Sequence, residues 1–139
     1  MTTRTPTTTQ QKTVWPSLVY EDARAAIRFL VDVFGFEERI TVPSDGDDTV
    51  IVHAQLRWPE GGGVMLSTAH REGNVFSDRP VGTGSVYVVT DDPDAVYARA
   101  TAAGLPVVQA IRDEDYGGRG FGVRDREGNI WSFGSYRGE

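Results

Sequence analysis

The chain has 139 residues, 39% of them hydrophobic and 24% charged, which is enough for one globular domain with a hydrophobic core. Its formal net charge is −6, from 14 basic and 20 acidic residues, so we expect no basic face for nucleic acid. It has no cysteine, which excludes disulfides and thiolate metal sites, and no apolar run approaches the roughly 20 residues that a membrane-spanning helix needs.

The first 13 residues contain seven threonines and no apolar block after the initiator methionine. A segment of this composition fits neither a secretory signal nor a packed element. We therefore predict a disordered tail over residues 1–13 and a cytoplasmic protein with no membrane partner.

From residue 14 onward, strand and helix patterns follow one another. Residues 14–20 are apolar and predict a strand, after which Asp22 is placed to cap a helix that Gly35 ends. Pro43 should close the second strand because proline cannot donate to a sheet. The remaining elements of this half are strands at 36–42, 49–58 and 64–68 and turns at 44–48 and 59–63.

A polar connection over 69–83 precedes a second run of the same pattern. Asp91 and Asp92 offer a helix cap, Pro93 suits the first turn, and Gly104 supplies the stop. Strands are predicted at 84–90, 106–112, 119–125 and 129–136, with a hairpin turn at 125–129.

The two halves align at an offset of 69 residues, with Asp22 on Asp91 and Gly35 on Gly104. A recurring order of strand, cap, helix, glycine stop and strand indicates an internal duplication. We predict an α+β fold of two βαβββ repeats that form a curved mixed sheet, with helices outside and a concave ligand cup inside. The predicted single domain spans 14–136, divided into repeat one at 14–68, a linker at 69–83 and repeat two at 84–136.

Strand alternation in 49–58 predicts which side chains face the cup. Thr49, Ile51, His53, Gln55 and Arg57 are assigned to the cup, and Val50, Val52, Ala54, Leu56 and Trp58 to the helix-covered face. His53 is a candidate base near neutral pH. The alternative is that His53 only forms hydrogen bonds, because the spacing identifies no acidic partner for it.

Three segments carry a family resemblance: PSLVYEDARAAIRFLVDVFGFEE, VMLST and YGGRGFGVRDREGNIWSFGSY. They are similar to the vicinal oxygen chelate superfamily, which includes glyoxalase, extradiol dioxygenases and bleomycin resistance proteins. The resemblance covers residues 14–136, and D-x-E-G-N-x-W-x-F is its most specific part. It implies the fold above and a homodimer, but not one activity.

The resemblance also implies four metal-ligand positions, which fall near Trp15, Leu66, Ser85 and Ser132. None is a histidine or carboxylate, so we expect a member without the usual metal site and without a cofactor. The same register puts these four residues in the cup as ligand-binding candidates, together with Ser17, Tyr87 and Ile130, and puts Trp131 and Phe133 under a helix.

The loop that begins at Tyr116 and reaches Arg119 through two glycines is a further candidate. Arg119 could meet an anionic group and Tyr116 could stack on a planar one. The alternative is a simple turn with an exposed arginine. Trp15 has two interpretations as well, as an aromatic wall of the cup or as a core residue.

These features leave three hypotheses for function. The first is a metal-independent protein that binds a small organic molecule, sequestering an aromatic or amphiphilic compound such as an antibiotic. The second is an enzyme of the same superfamily, a lyase, isomerase or dioxygenase, with an atypical metal site or His53 as base. The third is a dimeric interaction module with a vestigial cup, which the lack of a cavity above about 300 Å³ would favour.

Overall fold

The structure, a computed structural model, describes residues 13–139, so all but the last residue of the predicted tail lies outside the described residues. The N-terminal elements are β1 (Ser17–Tyr20), α1 (Ala23–Phe29), a π-helical turn (Leu30–Phe34), β2 (Glu37–Ser44), β3 (Asp47–Arg57) and β4 (Gly63–Thr68). After a short 3₁₀ helix (Val75–Ser77) come β5 (Ser85–Val89), α2 (Pro93–Ala102), β6 (Val107–Asp113), β7 (Arg119–Arg124) and β8 (Ile130–Gly134). No helix within 13–139 is both long and apolar enough to cross a bilayer.

The two halves have the same sheet topology. The strand order is β1-β4-β3-β2 in the first sheet and β5-β8-β7-β6 in the second, each with one parallel pair. We call β1 to β4 with α1 the N-module, and β5 to β8 with α2 the C-module. Each helix packs on its own sheet and leaves the opposite face open, which confirms the predicted α+β fold of two βαβββ units.

The predicted helix boundaries are confirmed by their caps. The Asp22 carboxylate accepts a 3.1 Å hydrogen bond from the Ala25 amide, and Asp92 does the same at the start of α2. Gly35 ends the first helical segment with φ 99°, a conformation that favours glycine. The π-helical turn before Gly35 was not predicted. Arg99 stabilises it by donating to the carbonyls of its last two residues.

Two predictions about β2 and β3 were wrong. Pro43 does not end β2, because the strand continues to Ser44 through a register shift at the proline. Opposite this shift, Val42 pairs with His53 and Pro43 with Ile51, so Val52 is skipped. The bulge reverses the alternation, so Ile51 is fully buried, whereas Val52 is 39% exposed. Val50, half-buried on the same side as Val52, was misassigned for the same reason.

The helix-covered sides of the modules share one aromatic core. The Phe34 ring lies 5.5 Å from Trp131 and 4.8 Å from Phe133, both on β8 of the other module. Trp58, at the end of β3, donates from its indole nitrogen to the Val89 carbonyl of β5 at 2.8 Å. Because the modules meet through these covered sides, their open faces are turned away from the common core.

Candidate functional site

The open face of the C-module holds a cavity of about 260 Å³, which we call the C-module cavity. Its floor contains three glycines, Gly120, Gly122 and Gly134. A Cβ atom on Gly122 would lie 3.0 Å from a methyl carbon of Val108, and one on Gly134 would lie 2.7 Å from the Tyr87 hydroxyl. Larger residues would therefore fill the cavity, and glycine keeps it open.

Three tyrosines, Tyr87, Tyr116 and Tyr136, form what we call the tyrosine wall of this cavity. Tyr87 donates its hydroxyl proton to the carbonyl of Tyr136 at 2.6 Å, and the rings of Tyr116 and Tyr136 meet edge to face at 5.0 Å. Burial, together with the neighbouring Tyr116, raises the pKa of the Tyr87 phenol. Gly118 adopts φ 83°, and a Cβ there would lie 2.8 Å from the Tyr136 amide, so this glycine permits the close approach.

Glu114 is the acidic group that lines the cavity. Its carboxylate accepts hydrogen bonds from Gln109 at 3.0 Å and from Arg112 at 3.2 Å. The Glu114 side chain is only 14% exposed, whereas Arg112 is 60% exposed and extends into solvent. Sequence reasoning missed Gln109, Glu114 and Tyr136, because an irregular β6 and a loop bring them together and neither has a repeating pattern.

Arg119 lines the cavity and is ion-paired with two carboxylates. It forms three hydrogen bonds with Asp94, at 3.0, 3.1 and 3.3 Å, and one with Asp113 at 3.3 Å. The bonds from Arg119 lower the pKa of Asp94, and those from Asp94 and Asp113 raise the pKa of Arg119. The guanidinium lies beside α2, and the contact of Arg119 with an anionic ligand stays a prediction.

His53 and Gln55 lie on the open face of the other module. The His53 Nε2 and Gln55 Nε2 atoms are 2.9 Å apart, so the two side chains are hydrogen-bonded to each other. On neighbouring β2, Ile40 and Val42 are each 44% exposed. The predicted site residues thus divide into two groups, one per module, and the second group brings together Tyr87, Tyr116, Arg119 and Ser132.

The assignment of Leu66 to the cup was wrong. Leu66 pairs with Leu18 and Ala54 and is buried with them in the core. Strand alternation gives the cup-facing positions of β4 to Met65 and Ser67, one residue to either side.

The other first-strand and fifth-strand candidates lie at the margins of the sheets. Trp15 precedes β1, is half-buried, and lies 3.0 Å from where a Cβ on Gly63 would be. Ser17 and Ser85 are exposed at the starts of β1 and β5.

The residues at the implied metal-ligand positions do not fit a divalent cation. Leu66 is in the core, Trp15 has no ligating lone pair, and neutral hydroxyls such as Ser85 and Ser132 are poor ligands. Across residues 13–139, the structure brings no three histidine, cysteine or carboxylate side chains close enough to hold a metal ion.

Comparisons with known proteins agree with this fold. A profile of the Glyoxalase/Bleomycin resistance protein/Dioxygenase superfamily matches residues 12–133. Protein Rv0887c of Mycobacterium tuberculosis and protein Mb0911c of Mycobacterium bovis are each 36% identical to this chain over 124 residues. The alignments cover 86% of this chain, 71% of Rv0887c and 80% of Mb0911c. The crystal structure of TioX from Micromonospora sp. ML1 is similar with a TM-score of 0.74 and 34% identity, covering 89% of this chain and 98% of TioX. The chain therefore belongs to the glyoxalase/bleomycin resistance protein/dioxygenase superfamily.

Proposed function

We propose that this protein binds a small aromatic or amphiphilic molecule in the C-module cavity and sequesters it without a metal ion. An antibiotic is an example of such a ligand. The observation that supports this most directly is the tyrosine wall above a floor of glycines. Aromatic walls stack on planar ligands, and a glycine floor lets such a ligand approach the sheet backbone closely.

The groups around the cavity favour binding over catalysis. Of its titratable groups, Tyr87 has a raised pKa and so stays protonated near neutral pH, and Glu114 is engaged by Gln109 and Arg112. A general base must lie within hydrogen-bond reach of the proton it removes. His53, the residue that the enzymatic hypothesis needs, is on the open face of the other module and hydrogen-bonded to Gln55.

We further propose that a second copy of the chain covers the cavity. At about 260 Å³, it is slightly smaller than the roughly 300 Å³ at which ligand pockets begin. The open face of the N-module carries Ile40, Val42 and Val52, all more than a third exposed, which a monomer would leave in water. A homodimer that packs one open face over another would bury this apolar surface and enlarge the cavity into a complete cup. A dimer of this kind would explain why the cavity in one chain is small. The small volume would then not require the vestigial cup of the third hypothesis.

Calorimetric titration with a panel of aromatic and amphiphilic antibiotics, in buffer containing EDTA, tests the proposal. We expect at least one compound to bind, and Tyr116→Ala to weaken that binding about tenfold through the loss of stacking. Phe76→Ala is the matched control, because Phe76 is a highly exposed aromatic on the linker and does not line the cavity. Binding or turnover that depends on added Ni, Zn, Mn, Fe or Co salts would support the enzymatic hypothesis instead.

A further inference from the structure

We propose that the ligand of the C-module cavity carries a positive charge, as in an aromatic compound with an ammonium group. This inference rests on the proposed function and adds the ligand's charge to it. It depends on which partners the polar groups of the cavity already have. A cation needs π-faces and carboxylate oxygens, whereas an anion needs free N–H or O–H donors or a free cation.

Two of the three hydroxyls of the tyrosine wall already donate to acceptors within the protein. Tyr87 donates its single proton to the Tyr136 carbonyl at 2.6 Å, and Tyr136 donates its own to Glu139 at 3.1 Å. What these residues present to a ligand is ring surface. The negative potential above a tyrosine face attracts ammonium and other organic cations, with greater effect where water is excluded.

The charged groups around the cavity are mainly acidic. Glu114 lines the cavity and is 14% exposed, so water screens it less than it screens Arg112, which is 60% exposed. The second nearby cation, Arg119, is neutralised by bonds to Asp94 and Asp113. The three carboxylates Asp94, Asp113 and Glu114 outnumber the two guanidinium groups that pair with them. A cationic ligand would meet the part-buried Glu114 carboxylate and the rings, whereas an anionic ligand would meet an excess of negative charge.

Three phenols that differ only in their para substituent test this inference. 4-(Trimethylammonio)phenol is the cation, 4-tert-butylphenol is its neutral isostere, and 4-hydroxybenzenesulfonate is an anion of similar size. We expect the cation to bind about tenfold more tightly than the isostere by calorimetry at low salt, and the anion not to bind measurably. Equal or tighter binding of the neutral or anionic phenol would overturn the inference and leave the binding function intact. If none of the three binds, the inference is overturned. The antibiotic panel then decides the binding function separately.

Glu114→Gln separates the charge effect from packing. The variant should reduce the cation's advantage over its isostere several-fold and leave the isostere's affinity unchanged, because only the charge is removed. Asp45→Asn makes the same charge change at an exposed position of the β2–β3 turn and should leave all three affinities as in the wild type. If Glu114→Gln perturbs the fold by circular dichroism, Tyr116→Leu and Tyr116→Phe replace it. The first should lower the cation's affinity selectively and the second should retain it, and equal losses for cation and isostere would contradict the inference.

Discussion

The Tyr20 hydroxyl on β1 donates a 2.7 Å hydrogen bond to the Asp125 carboxylate at the end of β7, 105 residues away in the other module. The same buried carboxylate accepts hydrogen bonds from the Trp131 indole at 2.9 Å and the Asn129 amide at 3.1 Å. Burial and the adjacent Asp125 charge raise the pKa of Tyr20 far above its usual range. The D-x-E-G-N-x-W motif therefore joins the modules rather than forming a binding site.

Replacing Asp125 with asparagine should destabilise the protein strongly. The side chains of Tyr20, Asn129 and Trp131 donate to one carboxylate oxygen, and the backbone amides of Glu127 and Asn129 donate to the other. An asparagine amide retains one acceptor oxygen, so the donors on one side lose their partner. We expect a loss of about 3 kcal/mol in the free energy of unfolding, measured by urea denaturation. Tyr20→Phe, which removes one donor, should cost about half as much. A loss below that of an exposed substitution such as Asp45→Asn would contradict this account.

Two glutamates join the modules through hydrogen bonds at equivalent corners, the segments that precede α1 and α2. Glu127 accepts from the backbone amides of Glu21 and Asp22 at 2.6 and 2.9 Å, and Glu60 accepts from the Asp91 amide at 2.8 Å and the Thr90 hydroxyl at 2.7 Å. Each corner immediately precedes a helix.

Glu127→Gln and Glu60→Gln should each cost about 1 kcal/mol of unfolding free energy, because an amide NH₂ replaces one acceptor oxygen. The two losses should add in the double variant, since the sites share no partner. The measurement is urea denaturation of the three variants, with Glu72→Gln, exposed on the linker, as control. A strongly non-additive double variant would show that the corners are coupled.

The ion pair between Asp94 and Arg119 predicts that the free energy of unfolding depends on pH in the acidic range. Asp94 has its pKa lowered below its usual 3.8, chiefly by hydrogen bonds from Arg119. A lowered carboxylate pKa contributes stability that is present above 3.8 and lost as the pH falls through the value in the folded protein. The wild type should therefore be more stable than Asp94→Asn near neutral pH, with the difference vanishing in acid. Chemical denaturation across this range would contradict the account if the difference grew as the pH fell.

Gly122→Ala should narrow the C-module cavity with little effect on the fold. The added methyl group would lie 3.0 Å from Val108 and 3.6 Å from the Ser132 hydroxyl, within the space that a ligand needs. We expect about a tenfold loss of affinity for the tightest compound in the antibiotic panel, with a stability change below about 2 kcal/mol. Val107→Ile, which enlarges an exposed β6 residue outside the cavity, is the control. Unchanged affinity in Gly122→Ala would place the ligand elsewhere.

A charge at Val42 should dissociate the proposed homodimer. Val42 is 44% exposed on the open face of the N-module, and burying an aspartate there in an apolar interface is costly. Light scattering after gel filtration should give twice the chain mass of 15.2 kDa for the wild type and a single chain mass for Val42→Asp. Val75→Asp makes the same change at an exposed linker residue and should remain dimeric. A monomeric wild type would contradict the proposal.

The parts of the fold that the sequence predicted are those decided locally. Asp22 and Asp92 cap their helices through side chains three residues from the amides they bind, and Gly35 adopts a backbone conformation that other residues avoid. Ser132, which the register of the family resemblance puts in the cup, lies on the open face, because β8 pairs without irregularity.

The sequence misled where the alternation of strand side chains is interrupted, or where a contact joins residues that are far apart in the sequence. The bulge opposite Pro43 moved Ile51 into the core, and nothing local marks the skipped Val52. The ion pair of Arg119 with Asp94 was not predicted, because only the packing of α2 brings the two residues together. Glu114 lies in a loop between two strands, where sequence patterns do not specify direction.

The claim that the C-module cavity binds a small aromatic molecule without metal is tested most directly by NMR. The tightest compound in the panel would be titrated into ¹⁵N-labelled protein in EDTA, with backbone amides as the observable. We predict that the largest shifts fall on Gly120, Gly122 and Gly134 along the cavity floor. Shifts concentrated instead on α1 or on the hairpin at 59–63, or shifts that appear only after a metal is added, would contradict the account.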